Sequence, residues 1–224
     1  IILIILPIIA IIAAMGIGRM NIAPIDVIKS ILNKFGADFA VNKQYELVLW
    51  SIRFPRILLA LLVGAGLSVA GCVFQSLFSN PLATPDTLGV ASGASFGAAL
   101  GLLLGINLMG VQMVALLFGI IAVVLTFMAG TGRGRGINTV VLAGIMIGSL
   151  FSALVSLIKY IADTESQLPA ITYWLMGSLN SASYDSLMLG APLIIIGILV
   201  LILFRYRLNV LPLSDDEAKS TGTN

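Results

Sequence analysis

Long apolar runs, separated by short polar segments, constrain the fold of this chain more than any other feature. Hydrophobic residues make up 59% of the 224 residues, and charged residues only 10%, whereas a soluble domain carries about 25% charged residues. So few charges cannot coat a surface that faces water. The sequence therefore predicts an all-α, polytopic membrane protein whose apolar runs cross the bilayer as helices.

Six of these runs approach the length of a membrane-spanning helix, which is about 20 residues. The first has neither a basic flank nor a small-residue cleavage pattern, so we interpret it as a clipped span and not as a signal peptide. Because the chain also stops in a polar tail, we expect it to be a fragment of a longer protein. The predicted spans are 1–17, 55–78, 88–104, 111–129, 139–161 and 187–204.

Two predicted segments lie outside the spans. Segment 18–52 mixes charged and apolar residues, and its isoleucines and leucine recur at helical spacing, which predicts a short amphipathic helix at the membrane surface. The residues on the apolar face of this predicted surface helix are Ile25, Ile28, Ile31 and Leu32. The second segment, 162–187, is interpreted as a polar loop.

Small residues form a regular row in each of two predicted spans. In the third span a glycine recurs at every fourth position, so that a neighbouring helix can approach backbone to backbone. In the fifth span small residues also recur four apart, which indicates either close helix packing or a weakly polar stripe that faces a pore. The two rows are Gly93, Gly97, Gly101 and Gly105, and Gly144, Gly148, Ser152 and Ser156 with Ser149 beside them.

Arg53 and Arg56 stand directly before the second span, and their spacing places them on one helical face. They either reach lipid headgroups or meet acidic side chains of a soluble partner. Charge does not fix the orientation of the chain, because the basic residues are nearly balanced between the two sides of the membrane.

The composition also excludes several kinds of function. With no His and one Cys, an internal disulfide is impossible, and a catalytic triad or transition-metal site is not expected. The segment Gly130–Gly136 lacks the Gly-Lys-Ser/Thr of a phosphate loop, so we expect no ATP hydrolysis by this chain. We also expect no cofactor and no catalytic residue in it. The spans hold almost no ionisable groups, which argues against an ion-driven carrier, and the scattered basic residues predict no nucleic-acid surface.

Four sequence blocks resemble the permease subunit of type II ABC importers, the FecCD family, and occur in the order found in that family. The most specific is the run N-P-L-A-x-P-x-x-L-G-x-x-x-G-A, and together the blocks extend over nearly the whole chain. They are Ile-Arg-Phe-Pro-Arg at 52–56, the segment from Gly71 to Gln75 with the run at 80–94, Leu-Ala-Gly at 142–144, and Tyr-Trp-Leu-Met-Gly-Ser-Leu at 173–179.

The resemblance implies a fold and a topology. FecCD permeases usually have ten spans, so residues 1–224 would be the N-terminal part of a single transmembrane permease domain. Both ends would lie in the cytoplasm of a prokaryotic cell, and segment 18–52 outside it. Residues 205–224 would begin the cytoplasmic loop that docks an ATPase, where Asp215, Ala218 and Gly222 match the family pattern and Ser214 and Thr221 depart from it.

The resemblance also implies partners and roles. Such a permease pairs with a second permease subunit, identical or not, binds ABC ATPase subunits, and receives an iron–siderophore, haem or cobalamin from an extracytoplasmic binding protein. Arg53 and Arg56 would grip a carboxylate of that binding protein. Ser149, Ser152 and Ser156 would line the translocation path, with Asn138 and Thr139 near its cytoplasmic gate. The alternative is a truncated membrane protein with an assembly or regulatory role and no transport.

Overall fold

A computed structural model describes residues 2–131, 136–180 and 182–212, and every regular element in these ranges is helical. This confirms the predicted all-α class. A π-helical stretch, Val48–Arg53, joins α3 to α4, and a 3-10 turn, Pro85–Leu88, precedes α5. The α-helices are α1 (Ile2–Gly16), α2 (Pro24–Lys34), α3 (Lys43–Leu47), α4 (Phe54–Leu77), α5 (Val90–Leu103), α6 (Leu108–Gly130), α7 (Ile137–Ile161), α8 (Gln167–Met176), α9 (Tyr184–Leu203) and α10 (Arg205–Val210).

Four helical stretches of the described residues are long and apolar enough to cross a membrane. Two shorter apolar helices, Ile5–Gly16 and Val90–Leu103, occupy the first and third predicted spans. The predicted polytopic arrangement of about six apolar helices is therefore confirmed. The four long stretches are Lys43–Leu77, Leu108–Gly130, Asn138–Ile161 and Tyr184–Leu203.

The second span begins earlier than the sequence predicts. Pro55 was expected in the first helical turn, but the helix already begins at Lys43 and continues through the π-helical stretch into α4. There the N–H of Phe54 donates to the carbonyl of Leu49, five residues back. Proline removes one i to i−4 hydrogen bond and its ring crowds the preceding turn, and the wider π-helical turn accommodates both effects.

The polar loop predicted at 162–187 is also partly wrong, because it contains α8. Pro169 lies in the first turn of α8, where backbone N–H groups have no partner within the helix. Ile171 is completely buried with Ala99, Ile158 and Ala162. Tertiary packing thus stabilises this short helix. The residues it packs against are distant in the sequence, so its own sequence pattern does not reveal them.

The helices group into two compact units. Unit 1 comprises residues 1–67 and 179–202, with a core of Met15, Ile22, Val27 and Leu49. Helix α2 lies where the surface helix was predicted, with Ile25, Ile28 and Leu32 exposed, whereas Ile31 packs against the core. The indole Nε1 of Trp50 donates to Ser30 Oγ at 3.0 Å and so holds α2 against the helix that contains Trp50.

Unit 2 comprises the described residues within 68–178 and 203–212, and three glycines of α5 face α6 within it. A methyl group on Gly93 would lie 2.6 Å from the Phe118 carbonyl oxygen, and one on Gly97 would lie 2.5 Å from that of Val114. Gly101 meets Val111 in the same way, at 3.2 Å. Gly105 is different: its φ is +67° and the space beside it is open, so it ends α5 with a left-handed turn.

Candidate translocation cleft

A cleft of about 410 Å³ in unit 2 lies between the segment 86–92 and one face of α7. We call it the α7 cleft. Two of the serines predicted from the sequence, Ser149 and Ser152, line it. The other lining residues are Asp86, Thr87, Gly89, Ser92, Gly144, Ile145 and Gly148.

The wall formed by segment 84–91 is built from local hydrogen bonds. The Thr84 N–H donates to Thr87 Oγ1 at 3.1 Å, and the Thr87 hydroxyl donates back to the Thr84 carbonyl at 2.6 Å. Asp86 Oδ1 accepts from the Ala91 N–H at 3.0 Å. Gly89 has a φ of +71°, a conformation that glycine adopts without steric cost. The wall is therefore a defined turn that leads directly into α5.

A buried hydroxyl ties this turn to the rest of unit 2. Thr126 of α6 is completely buried and donates from Oγ1 to the carbonyl of Leu88 at 3.0 Å. An unpaired buried carbonyl is costly, so this hydrogen bond fixes the end of the turn against α6.

The opposite wall, on α7, needs glycine at the contact with the turn. A methyl group on Gly144 would collide with the Thr87 carbonyl oxygen, and one on Gly89 would lie 3.0 Å from the Gly148 nitrogen. At Gly144 the small-residue row of α7 therefore allows close packing. One turn further along, at Ser149 and Ser152, the same row lines open space.

The serine hydroxyls of α7 are used within the helix. Ser149 donates to the Ile145 carbonyl at 2.8 Å, Ser152 to that of Gly148 at 2.9 Å, and Ser156 to that of Ser152 at 3.1 Å. Their oxygen lone pairs remain available, but their protons do not. The cleft is thus weakly polar, and Asp86 carries the ionisable group among its described lining residues. Such a surface can pass a solute without holding it tightly.

The remaining residues predicted for the path lie elsewhere on α7. Ser156 does not line the α7 cleft. Asn138 and Thr139 lie in the first turn of α7, where the Thr139 N–H donates to the Gly136 carbonyl at 2.9 Å. The residues predicted to contact the ATPase, Asp215, Ala218 and Gly222, lie outside the described residues.

The two arginines predicted to dock a binding protein come together in unit 1, and both bind backbone carbonyls of their own chain. Arg53 donates from Nη1 to the Met15 carbonyl and from Nη2 to that of Met20. Arg56 donates from Nη2 to the Asn180 carbonyl at 3.0 Å. Both side chains line a cavity of about 1060 Å³.

Sequence reasoning did not single out Asp86, Thr126 or Arg19. The run Thr-Pro-Asp-Thr at 84–87 carried a signal for Asp86, because Pro and Asp favour turn positions, and this turn places Asp86 on the wall of the cleft. Thr126 lies in an apolar run, and its partner is 38 residues away. Arg19 lines the same cavity as Arg53 and Arg56, again through a contact between distant parts of the sequence.

Comparison with protein families decides the family of this chain. The FecCD transport family matches residues 4–224. The chain belongs to the FecCD transport family. The resemblance seen in the four sequence blocks is thereby confirmed.

Two named relatives have longer chains than this one. The molybdate import system permease protein MolB of Haemophilus influenzae is 37% identical over 210 residues, which cover 93% of this chain and 62% of MolB. The hemin transport system permease protein HmuU of Yersinia pestis is 36% identical over 180 residues, which cover 78% of this chain and 54% of HmuU. This FecCD chain thus spans between half and two thirds of the length of these curated relatives.

A solved structure shares the fold. It is an inward-facing conformation of an ABC transporter of the metal-chelate type, and it superposes with a TM-score of 0.83 at 35% sequence identity. The match covers 99% of this chain and 67% of the other. The arrangement of helices described above is therefore that of an ABC permease.

Proposed function

We propose that this chain forms part of the permease subunit of a binding-protein-dependent ABC importer in the cytoplasmic membrane of a prokaryote. The observation that carries the proposal is the α7 cleft, where Ser149 and Ser152 give a weakly polar surface next to a rigid turn. Membership of the FecCD family and the likeness to a metal-chelate ABC transporter support it.

The proposed cargo is an iron–siderophore, haem or cobalamin. Such chelates are large and present many acceptor and apolar groups. A surface of serine oxygens and small residues suits them, because it binds the cargo weakly and therefore lets it dissociate. A cargo such as molybdate, which the name of MolB gives for that relative, would be the contrasting case.

The driving force is proposed to come from ABC ATPase subunits, since this chain needs neither a cofactor nor a catalytic residue for the role assigned to it. Residues 205–224, with Asp215, Ala218 and Gly222, would take part in that contact. A second permease subunit would complete the path, whose wall on this chain is Ser149, Ser152 and Ser156, with Asn138 and Thr139 nearer the gate.

An extracytoplasmic binding protein would dock at Arg53 and Arg56. Each guanidinium keeps donors beyond those used for backbone carbonyls, and no described carboxylate of this chain forms an ion pair with either arginine. Their positive charge is therefore available to an acidic partner.

Reconstitution tests the proposal. The full-length gene product would be assembled in proteoliposomes with the ATPase and binding protein of its own operon, and uptake of labelled ferric siderophore, haem and cobalamin would be measured with and without ATP. We expect ATP-dependent uptake of one of the three. An assembled complex that moves none of them would contradict the proposed cargo, and uptake driven by an ion gradient without ATP would contradict the proposed ATPase coupling.

A further inference from the structure

Three arginines surround the cavity of about 1060 Å³ in unit 1. We call it the arginine cavity. Arg19 follows α1, and Arg53 and Arg56 flank the junction of the π-helical stretch with α4. Because Arg53 binds the carbonyls of Met15 and Met20, the end of α1 and the start of α4 lie at one level. The apolar helices α1 and α4 therefore meet beside this cavity.

The positive charge of the arginine cavity is not compensated within the described chain. Arg19 makes no hydrogen bond or ion pair with any described residue, and no carboxylate is among the described residues that line the cavity. The Nε atom of Arg56 is buried and has no hydrogen-bond partner among them. A buried unpaired donor on a cation is costly, so this group favours binding of an acceptor, and an anionic one in particular.

The rest of the wall is apolar. It includes Ala13 and Ile17 of the α1 end and Val48, Ile52 and Ile57 of the facing helix. Ala13 and Ile17 also line an adjoining groove of about 760 Å³ along α1. A cationic cavity that continues into an apolar groove matches a molecule with an anionic head and a hydrocarbon tail.

We propose that the arginine cavity binds the headgroup phosphate of an anionic phospholipid, with an acyl chain in the adjoining groove. Guanidinium groups bind phosphate oxygens through paired N–H donors, and basic pockets between membrane helices hold lipid headgroups. The apolar groove distinguishes the lipid from a free anion, which would gain nothing from it. The bound lipid would compensate the charge of Arg19 and accept from the Nε of Arg56. It would brace α1 against α4 and leave the remaining donors of Arg56 to the binding protein.

Lipid retention by the purified full-length protein tests this site without any measurement of transport. Native mass spectrometry would count the bound lipid after addition of dioleoyl phosphatidylglycerol or dioleoyl phosphatidylcholine at equal concentrations. We expect the wild type to prefer phosphatidylglycerol, and each of Arg19→Gln and Arg56→Gln to reduce that preference by roughly fivefold. Arg19→Gln removes no hydrogen bond seen in the structure, so it keeps the test sound if Arg56→Gln folds poorly.

Lys29→Gln is the matched control, because Lys29 is a basic residue of α2 that does not line the cavity, and it should leave the preference unchanged. Equal retention of both lipids by the wild type would overturn the proposal, as would full preference in the Arg19→Gln variant. Displacement of phosphatidylglycerol by millimolar inorganic phosphate alone would show a free-anion site and would overturn it too.

Discussion

The guanidinium of Arg56 donates a hydrogen bond of 3.0 Å to the backbone carbonyl of Asn180, 124 residues further along the chain. Within unit 1 this contact joins the start of α4 to the segment that precedes α9. The Tyr184 hydroxyl supports the same junction by donating to the Trp50 carbonyl at 2.6 Å. Arg56 is therefore a structural residue as well as a candidate docking residue, and the two roles must be separated by experiment.

Arg56→Lys separates them, because lysine keeps the charge but loses the planar fork of donors. We expect the variant to lose about 1.5–3 kcal/mol of stability, the usual contribution of a hydrogen bond to a charged group. Affinity for the binding protein should stay close to that of the wild type. Thermal unfolding in detergent and surface plasmon resonance measure the two quantities.

Reversing both charges, Arg53→Glu with Arg56→Glu, should instead weaken binding-protein affinity by at least about tenfold. The affinity would be compared only for protein that elutes as a folded monodisperse peak. Unchanged affinity in that fraction would show that both arginines serve the fold alone.

The contact between α5 and α6 predicts opposite outcomes for two Gly→Ala substitutions. A methyl group at Gly97 would meet the Val114 carbonyl oxygen, whereas Gly71 of α4 has open space beside it. Gly97→Ala should cost about 1–3 kcal/mol through overpacking, and Gly71→Ala should be neutral or stabilising by up to about 1 kcal/mol through helix propensity. Denaturant unfolding of each variant measures this, and equal effects would show that α5 and α6 do not meet at Gly97.

The packing of the turn on α7 predicts a similar contrast one helical turn apart. Gly144→Ala would push against the Thr87 carbonyl oxygen, whereas a methyl group at Gly148 would approach no closer than 3.6 Å. We expect Gly144→Ala to destabilise the protein by about 1–3 kcal/mol and Gly148→Ala by less than about 0.5 kcal/mol. If Gly148→Ala were the more harmful, the turn would have to sit elsewhere on α7.

Cysteine labelling decides whether the serine stripe faces water. Cys72 is the cysteine of residues 1–224, so Ser149→Cys, Ser152→Cys and Ser156→Cys are made together with Cys72→Ser, and the Cys72→Ser protein alone gives the background labelling. A membrane-impermeant, water-soluble thiol reagent applied to everted vesicles should label all three positions, because a thiolate forms only in water. Leu150→Cys, whose side chain is exposed on another face of α7, should resist labelling in lipid, and equal labelling of all four would contradict a water-facing stripe.

The sequence predicts those features that depend on local periodicity. The apolar runs located six helices, and the row of Gly93, Gly97 and Gly101 lies on the face of α5 that meets α6. Local pattern could not show that the helix beginning at Lys43 continues through Pro55, because that depends on a π-helical turn. It also missed α8, which buries Ile171 against residues far away in the sequence.

The sequence also predicted only the part of the candidate site that depends on spacing along one helix. Ser149 and Ser152 could be named from spacing on α7, but the facing wall with Asp86 comes from a segment about 60 residues earlier in the chain. The hydrogen bond from Thr126 to Leu88 and that from Arg56 to Asn180 likewise join distant segments. Such pairings arise from tertiary packing, which overrides local pattern.

The most direct test of the proposed path is ATP-driven uptake by reconstituted transporter that carries Ser152→Trp, with Leu150→Trp as the control. Residues two apart lie on nearly opposite sides of a helix, so the first substitution fills the α7 cleft and the second does not. With ATPase assembly verified in both, we predict that uptake falls by at least about tenfold in Ser152→Trp and stays near wild type in Leu150→Trp. Wild-type uptake by the assembled Ser152→Trp transporter would contradict a translocation path along this face of α7.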